Sequence, residues 1–407
     1  MENDERLRML NMGHYYHVKG GSDRCMIELG RMLEADGHTV IPFASQHPKN
    51  QESRWSAYFP AGVDTQNASL ADVPQFLYSV EARDNLKRLI HEASPIDIAH
   101  LHIYYGQLTA SILDPLKEAG IPIVQSLHEY KLTCPVYTHI SQGEICEACG
   151  GSQFWKALPR RCNQGSLPRT LASVAEAYVS RLLGDVRKVD HFIAVSDFLR
   201  RKMIEHEVVA PDDITTVHNF VRPEAFTPSD QQGEHLLYFG RIAPVKGLRT
   251  LIKAAAPLQE VPLYIVGDGP QQTELQRWVE DNDWSHIHFL GFQSGQRLHD
   301  LIRGSITTVL PSEWYENCPM SVLEALALGR PVVGSRIGGI PELIEEHKDG
   351  LLFPAGQVEA LREKLEWMVD HPVRAVEMGR TGRKKVEDRF GPETHCTKIK
   401  SIYKNIL

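Results

Sequence analysis

Two stretches in the second half of the chain carry charge beside patterns that read as strand ends. The run Gly240-Arg241-Ile242-Ala243-Pro244-Val245-Lys246-Gly247 follows the apolar segment His235–Phe239 and leads into a helical pattern with Leu248, Leu251 and Ile252. Two cations on one loop at a helix start repel each other and oppose the helix dipole unless an anion lies between them. The loop therefore predicts a pyrophosphate site at Arg241 and Lys246, the alternative being two solvated surface charges. Further on, Glu316 and Glu324 stand eight residues apart around Asn317, Cys318, Pro319 and Met320, after the strand pattern Thr307–Leu310. Eight residues at helical rise span about 12 Å, enough for one carboxylate to reach a sugar and the other a ribose. An ionised carboxylate suits paired hydroxyls because it accepts several O–H bonds at once. The plain alternative makes Glu316 loop surface and Glu324 an acid favoured by a helix N-terminus.

The first half offers weaker signals. Gly20-Gly21-Ser22 opens a helical segment, so its backbone N–H groups face either an anion or nothing beyond a tight turn. His102 and His128 each end a strand pattern, where a histidine donates to a hydroxyl or phosphate or simply belongs to the structure. Val266-Gly267-Asp268-Gly269-Pro270 lacks the third glycine of a dinucleotide fingerprint and reads as a strand-to-helix turn.

Cys134, Cys146, Cys149 and Cys162 fall within 29 residues, in an insert spanning about 131–165 that has few helix or strand signals. Four thiolates at such spacing fit a closed, structural zinc site; an iron–sulfur cluster and free thiols are the other readings. From Phe154 to Asp190 seven Lys or Arg outnumber three acids, beside Phe154, Trp155 and Leu158. That composition suits peripheral contact with an anionic membrane or a solvated helix face.

The elements that must position these residues alternate from end to end. Strand patterns at Leu7–Met12, Thr39–Phe43, Ile96–Ile103, Ile121–Leu127, His191–Val195 and Ile214–His218 are separated by helical periods such as Ser22–Asp36, with Met26, Leu29 and Leu33 on one face. His235–Phe239, Leu263–Val266, Ile287–Leu290, Thr307–Leu310 and Pro331–Gly334 repeat the rhythm. The fold class is α/β, two doubly wound parallel sheets. A polar, Pro-containing stretch around Asn219–Gly233 divides them, giving domains 1–219 and 220–389, with a C-terminal helix in 390–407 expected to pack back on the first. The 407 residues suffice for two cores. The net charge of −8 gives no overall basic field for nucleic acid. The polar, acidic start and the lack of any apolar run long enough to span a bilayer lead to the expectation of a cytoplasmic protein, peripheral at the membrane at most.

Taken in order, HVKGGSDR, LGRMLEADGHTV, LHEYKLTCP, FIAVSDFLR, VHNFV, YFGRIAPVKG, IVGDGP, ENCPMSVLEALALGRPVVGS and IGGIPELI resemble retaining glycosyltransferase family 4 over essentially the whole chain. The resemblance implies the GT-B fold, with two Rossmann-like domains facing a central cleft. It implies transfer of a sugar from a nucleoside diphosphate donor of UDP or GDP type to a glycan or lipid-linked acceptor, with retention of configuration and no catalytic metal. Arg241 and Lys246 would neutralise the diphosphate, Glu324 would bind the ribose, and Glu316 the donor sugar. Asn317, Cys318 and Met320 would help through backbone N–H groups, with Gly20, Gly21, Asn219 and Gly240 near the donor and His128 reaching its sugar. Pro319 departs from the Gly-rich turn of many relatives and removes one N–H donor. A nucleotide-sugar epimerase, a catalytically silent partner subunit and a nucleic-acid knuckle at the cysteines are the competing readings.

Overall fold

The computed structural model describes residues 6–63 and 70–407. It divides into two compact units: residues up to 142 with 146–217 and 395–407, and residues 218–394 with 143–145. Each is built on a six-stranded parallel sheet. In the first, β1 (Arg8–Gly13), β2 (Thr39–Ala44), β3 (Ile98–Leu101), β4 (Ile123–Leu127), β5 (His191–Ala194) and β6 (Ile214–Thr216) take the order β2-β1-β3-β4-β5-β6. In the second, β7 (His235–Phe239), β8 (Leu263–Val266), β9 (Ile287–Gly291), β10 (Ser305–Leu310), β11 (Val332–Ser335) and β12 (Gly350–Phe353) take the order β9-β8-β7-β10-β11-β12. All the pairings in these two sheets are parallel.

Near-continuous burial along β3, β4, β7 and β10 fits strands covered on both faces by crossover helices. Helix α1 (Gly21–Ala35) buries Met26, Leu29 and Leu33 as its spacing requires. The apolar core of the second unit runs through Leu236, Leu251, Ile265 and Val333, with Leu361 and Leu365 behind them.

Two strand readings need correction. Ile96–Ile103 yields only Ile98–Leu101 as strand, because its last residues turn away to line the loop that follows. The sixth strand of the second unit, Gly350–Phe353, is four residues without β-branched side chains and gave no strand pattern.

Three further helices matter for the sites: α2 (Leu167–Leu183), α3 (Leu248–Ala255) and α4 (Met320–Ala327). The C-terminal helix α5 (Pro392–Ile406) packs on the first sheet from residue 395 onward. Its Tyr403 hydroxyl lies 2.5 Å from His100 Nδ1 under β3, and Lys400 reaches Asp36 at the end of α1, 2.9 Å away.

Candidate functional site

In the second sheet the chain starts at β7, adds β8 and β9 on one side, then reverses to add β10 on the other. The point of reversal is where open α/β sheets hold ligands, beyond the carboxyl ends of the strands. Topology therefore brings together the loop after β7, with Arg241 and Lys246, and the loop after β10, with Glu316.

The backbone fixes that meeting. Glu313 N–H donates to the Val245 carbonyl (2.9 Å), tying the two loops. Gly247 links the first loop to α3 at φ +69°, and a Cβ there would lie 1.9 Å from the Pro311 carbonyl oxygen. Below the cation loop, Gly267 at φ +133° has no room for a Cβ either, which would lie 1.9 Å from the Gly240 carbonyl oxygen. Gly240 N–H in turn donates to Val266 (3.0 Å). The Val266–Pro270 turn thus serves as a floor for the Gly240–Gly247 loop.

On this frame Lys246 Nζ donates to Glu316 Oε1 at 2.5 Å, and Ser312 Oγ donates to the same oxygen at 2.6 Å. Lys246 also sits over the Trp314 ring, 5.3 Å from its centroid. Glu316 is buried, and burial alone would raise its pKa. The ammonium of Lys246 and the hydrogen bonds from Lys246 and Ser312 outweigh burial and hold the carboxyl below its ordinary range. Its backbone carbonyl accepts from Gly339 N–H (2.7 Å), just past β11. Arg241 is exposed and has no ion-pair partner among the described residues.

Residues 316–319 are not helical. Pro319 is the N-cap residue and α4 begins at Met320, so the 12 Å helical span expected between Glu316 and Glu324 does not apply. Glu324 is half-buried in the second turn of α4 rather than an acid of its first turn. Cys318 is buried, and its carbonyl accepts from Asn219 Nδ2 at 3.1 Å, which joins the segment after β6 to this loop. Lys246, Glu316, Asn219 and Cys318 are thereby shown together in one unit. Ser312 and Trp314 were missed in the sequence; their only signal was their place between β10 and Glu316.

The sequence-predicted residues of the first unit form a separate group. Gly20 caps α1, but its N–H already donates to Asp23 Oδ2 (3.1 Å), so an acidic side chain occupies the turn where an anion was expected. Gly21 begins the helix. His128, at the end of β4, shares a 3.0 Å hydrogen bond between its Nε2 and His102 Nδ1. The rings of His100, His102 and His128 stack in a row, with centroids 4.6 and 5.3 Å apart. Burial lowers His128 to about 4 and His102 well below its ordinary value, so both are neutral at pH 7. Cys25 on α1 completes a trio with them, its sulfur and a nitrogen of each ring lying within 4.8 Å of one another.

None of the four clustered cysteines is in a disulfide. Burial pushes Cys149 up to about 12, with Cys134, Cys162 and Cys146 adding to the effect, so all four are neighbours. Their sulfurs do not figure among the ligand sets of the described residues that close to within 4.8 Å. A tetrahedral zinc site with Zn–S near 2.3 Å needs sulfur–sulfur edges of about 3.8 Å. As placed, they do not fit that geometry. Instead Cys149 packs with Phe154, Ala157, Val174 and Ala177, with Cys162 against the same cluster.

Comparison with known proteins assigns both halves. Residues 19–225 match the model described as Glycosyltransferase Family 4, and residues 224–385 the model described as Glycosyl transferases group 1. The chain is 28% identical over 237 residues to D-rhamnosyltransferase WbpZ of Pseudomonas aeruginosa, covering 54% of this chain and 60% of that one. It is 26% identical over 322 residues to 2-deoxystreptamine glucosyltransferase of Streptomyces kanamyceticus, covering 77% and 78%. Several curated relatives, the rhamnosyltransferase among them, are spanned over only about three-fifths of their own length. Among solved structures, Anabaena Alr3699/HepE in complex with UDP superposes with a TM-score of 0.67 at 17% identity, over 98% of this chain and 100% of that one. At that identity the likeness establishes the fold.

Proposed function

The chain belongs to glycosyltransferase family 4, and from that membership we propose that it moves a sugar from a nucleoside diphosphate donor to an acceptor hydroxyl with retention of anomeric configuration. The observation that carries this reading is the convergence of Lys246 and Glu316 at the reversal point of the second sheet. Departure of the nucleotide builds negative charge on the diphosphate. Arg241 and Lys246 are positioned on one rigid loop to stabilise it, which is worth most where donors are fixed in advance. Glu316, kept ionised, accepts from donor-sugar hydroxyls, and Glu324 from the ribose. Retention is attributed to front-face attack, with the leaving phosphate accepting the acceptor proton. Relatives named for rhamnosyl and glucosyl transfer, and a structural neighbour bound to UDP, support a nucleotide-sugar donor of this kind.

The acceptor is a glycan, free or lipid-linked. Among the described residues no helix is long and apolar enough to cross a membrane. A peripheral contact is supported by Leu167, Leu171 and Leu182 on one stripe of α2, 47, 55 and 78% exposed, with Trp155 at 56%. Exposed Arg160, Arg161 and Arg187 add the charge that anionic lipids attract.

Thermal unfolding with UDP, GDP and their sugars tests the donor reading, since a ligand at a hundred times its Kd adds about 2.7 kcal/mol. One nucleotide series is expected to raise Tm in the parent protein and not in Lys246→Ala. No shift from any nucleotide would sink the proposal. The anomeric proton coupling of the product reports configuration, and an inverted product overturns retention.

A further inference from the structure

The rings of His100, His102 and His128 form one row, yet the protein satisfies them differently. His100 has a partner at each ring nitrogen: Nδ1 lies 2.5 Å from the Tyr403 hydroxyl and Nε2 2.8 Å from Ser126 Oγ. That is how a buried structural histidine is completed. His102 is also buried, but its Nδ1 meets only His128 Nε2 at 3.0 Å, and its own Nε2 has no hydrogen-bond partner among the described residues. A neutral imidazole carries one N–H and one lone pair, so either tautomer leaves capacity on His102 that the protein does not use. Cys25 stands beside this pair.

We propose that Cys25, His102 and His128 form a binding site for a thiophilic divalent cation of the zinc class. This site is independent of the transferase reading: all three side chains belong to the first unit, and the metal alone tests it.

The fold draws the three from different elements. His102 directly follows β3, and its N–H donates to the Met12 carbonyl of β1 at 2.8 Å. His128 directly follows β4, the next strand of the sheet. Cys25 lies on the buried side of α1, the helix after β1. Gly13, the last residue of β1, makes room for their approach: a Cβ there would lie 2.6 Å from Met26 Sδ and 3.7 Å from His102 Cβ. Any larger residue would push α1 away from His102. The sulfur and a nitrogen of each ring thereby come within 4.8 Å of one another.

Only a small adjustment separates this arrangement from coordination. Tetrahedral zinc needs N–N edges of about 3.3 Å and S–N edges of about 3.6 Å. The facing nitrogens therefore part by about 0.3 Å and the sulfur closes by about 1.2 Å at most. The ion takes the place of the hydrogen that the two rings share. Burial keeps both rings neutral, the form in which imidazole ligates. One thiolate with two imidazoles suits zinc and its neighbours, whereas magnesium and calcium take oxygen ligands. Three protein ligands leave the fourth position to water, so the ion exchanges with a chelator.

Titration of the chelator-stripped full chain with Co²⁺, a spectroscopic substitute for zinc, tests this. The parent protein is expected to take up the ion with the visible bands of tetrahedral cobalt and a near-ultraviolet thiolate-to-cobalt charge-transfer band, both removed by added Zn²⁺. Cys25→Ser should abolish the charge-transfer band and weaken binding by more than the about ten- to hundredfold that loss of an outer-shell partner costs. His128→Gln, at a half-buried position, should weaken binding likewise and carries the test if circular dichroism shows Cys25→Ser unfolded. Cys149→Ser should keep the parent's spectrum, which separates this site from the four-cysteine insert. The proposal is overturned if the parent shows no charge-transfer band, if the band persists in Cys25→Ser, if it is lost in Cys149→Ser instead, if His128→Gln binds as tightly as the parent, or if Mg²⁺ competes at equal concentration.

Discussion

The two units repeat one device with opposite electrostatics. Each sheet reverses beside its first strand, and each gathers titratable side chains on the loops beyond that point. The second unit keeps its groups charged: Lys246 and Ser312 hold Glu316 ionised, and Arg241 stays exposed. In the first unit burial lowers His14 and His128 to about 4, which leaves them neutral at pH 7, and raises Glu129 to about 7, which leaves it partly protonated. The difference teaches that one fold can hold its titratable groups charged or neutral by changing only what surrounds them.

The sharpest way to break the comparison is to remove the charge from the second unit. Lys246→Ala is expected to lower transfer by about two to three orders of magnitude, the scale found when one preorganised donor is removed from a developing anion. Steady-state kinetics should place the loss in kcat rather than in acceptor KM. A variant within a factor of five of the parent would show that Lys246 is only a surface cation.

Acid should separate the units next. His14, His128 and His139 are lowered to about 4 and His100 to about 3, all in the first unit. Their folded pKa values lie below the unfolded 6.5, so the unfolded chain binds protons that the folded one refuses, and stability falls as pH drops from 6.5 toward 4. Glu129 at about 7 and Asp185 at about 6 act in the opposite sense, because the folded state keeps protons that the unfolded carboxyls release. Histidines outnumber these acids, and each unbalanced proton is worth about 1.4 kcal/mol per pH unit. Hydrogen exchange followed by mass spectrometry at pH 5.5 should show β1, β3 and β4 opening before β7 and β10. Simultaneous opening would refute the asymmetry.

Gly247→Ala sharpens the comparison from the backbone side. Its φ of +69° is strained for any L side chain, at about 1–3 kcal/mol, before the 1.9 Å approach to Pro311 is counted. Urea unfolding should show at least that loss, with weakened nucleotide binding because the Arg241–Lys246 loop must shift. An unchanged midpoint would mean that the loop has another low-energy conformation.

Most of this frame could be read from the chain, for a physical reason. Strands buried on both faces leave continuous apolar runs, so β7, β8 and β10 were legible, as were the cations placed directly after β7. What stayed hidden depends on contacts between distant segments. Ser312 and Trp314 acquire meaning only once Glu316 turns back toward Lys246. Glu129 was visible beside His128, but the cavity it lines exists only because α2 packs there. That Asp23 would turn back onto the Gly20 N–H was likewise not legible, because it depends on how the first turn of α1 closes. β12 was missed because Gly-Leu-Leu-Phe is short and has no β-branched residue. The cysteine spacing suggested a metal; that Cys149 and Cys162 also meet an apolar cluster depends on α2 and could not be read from spacing.

That last contrast gives the smallest effect and a clean discrimination. If the cysteines of the first unit pack as small apolar side chains, Cys149→Ser puts a hydroxyl beside Phe154, Val174 and Ala177 and costs about 1 kcal/mol, within the range for burying a poorly paired hydroxyl. A structural zinc ion held by four thiolates contributes folding energy several times larger. Loss of one ligand would then unfold the insert, and chelation would do the same to the parent protein. Urea unfolding of Cys149→Ser, with elemental analysis of the purified parent, decides between them. A loss near 1 kcal/mol with no bound zinc supports the packed cluster. One equivalent of zinc, or a loss of 4 kcal/mol or more, would mean that the thiols close around an ion, and that the insert is organised by metal rather than by burial.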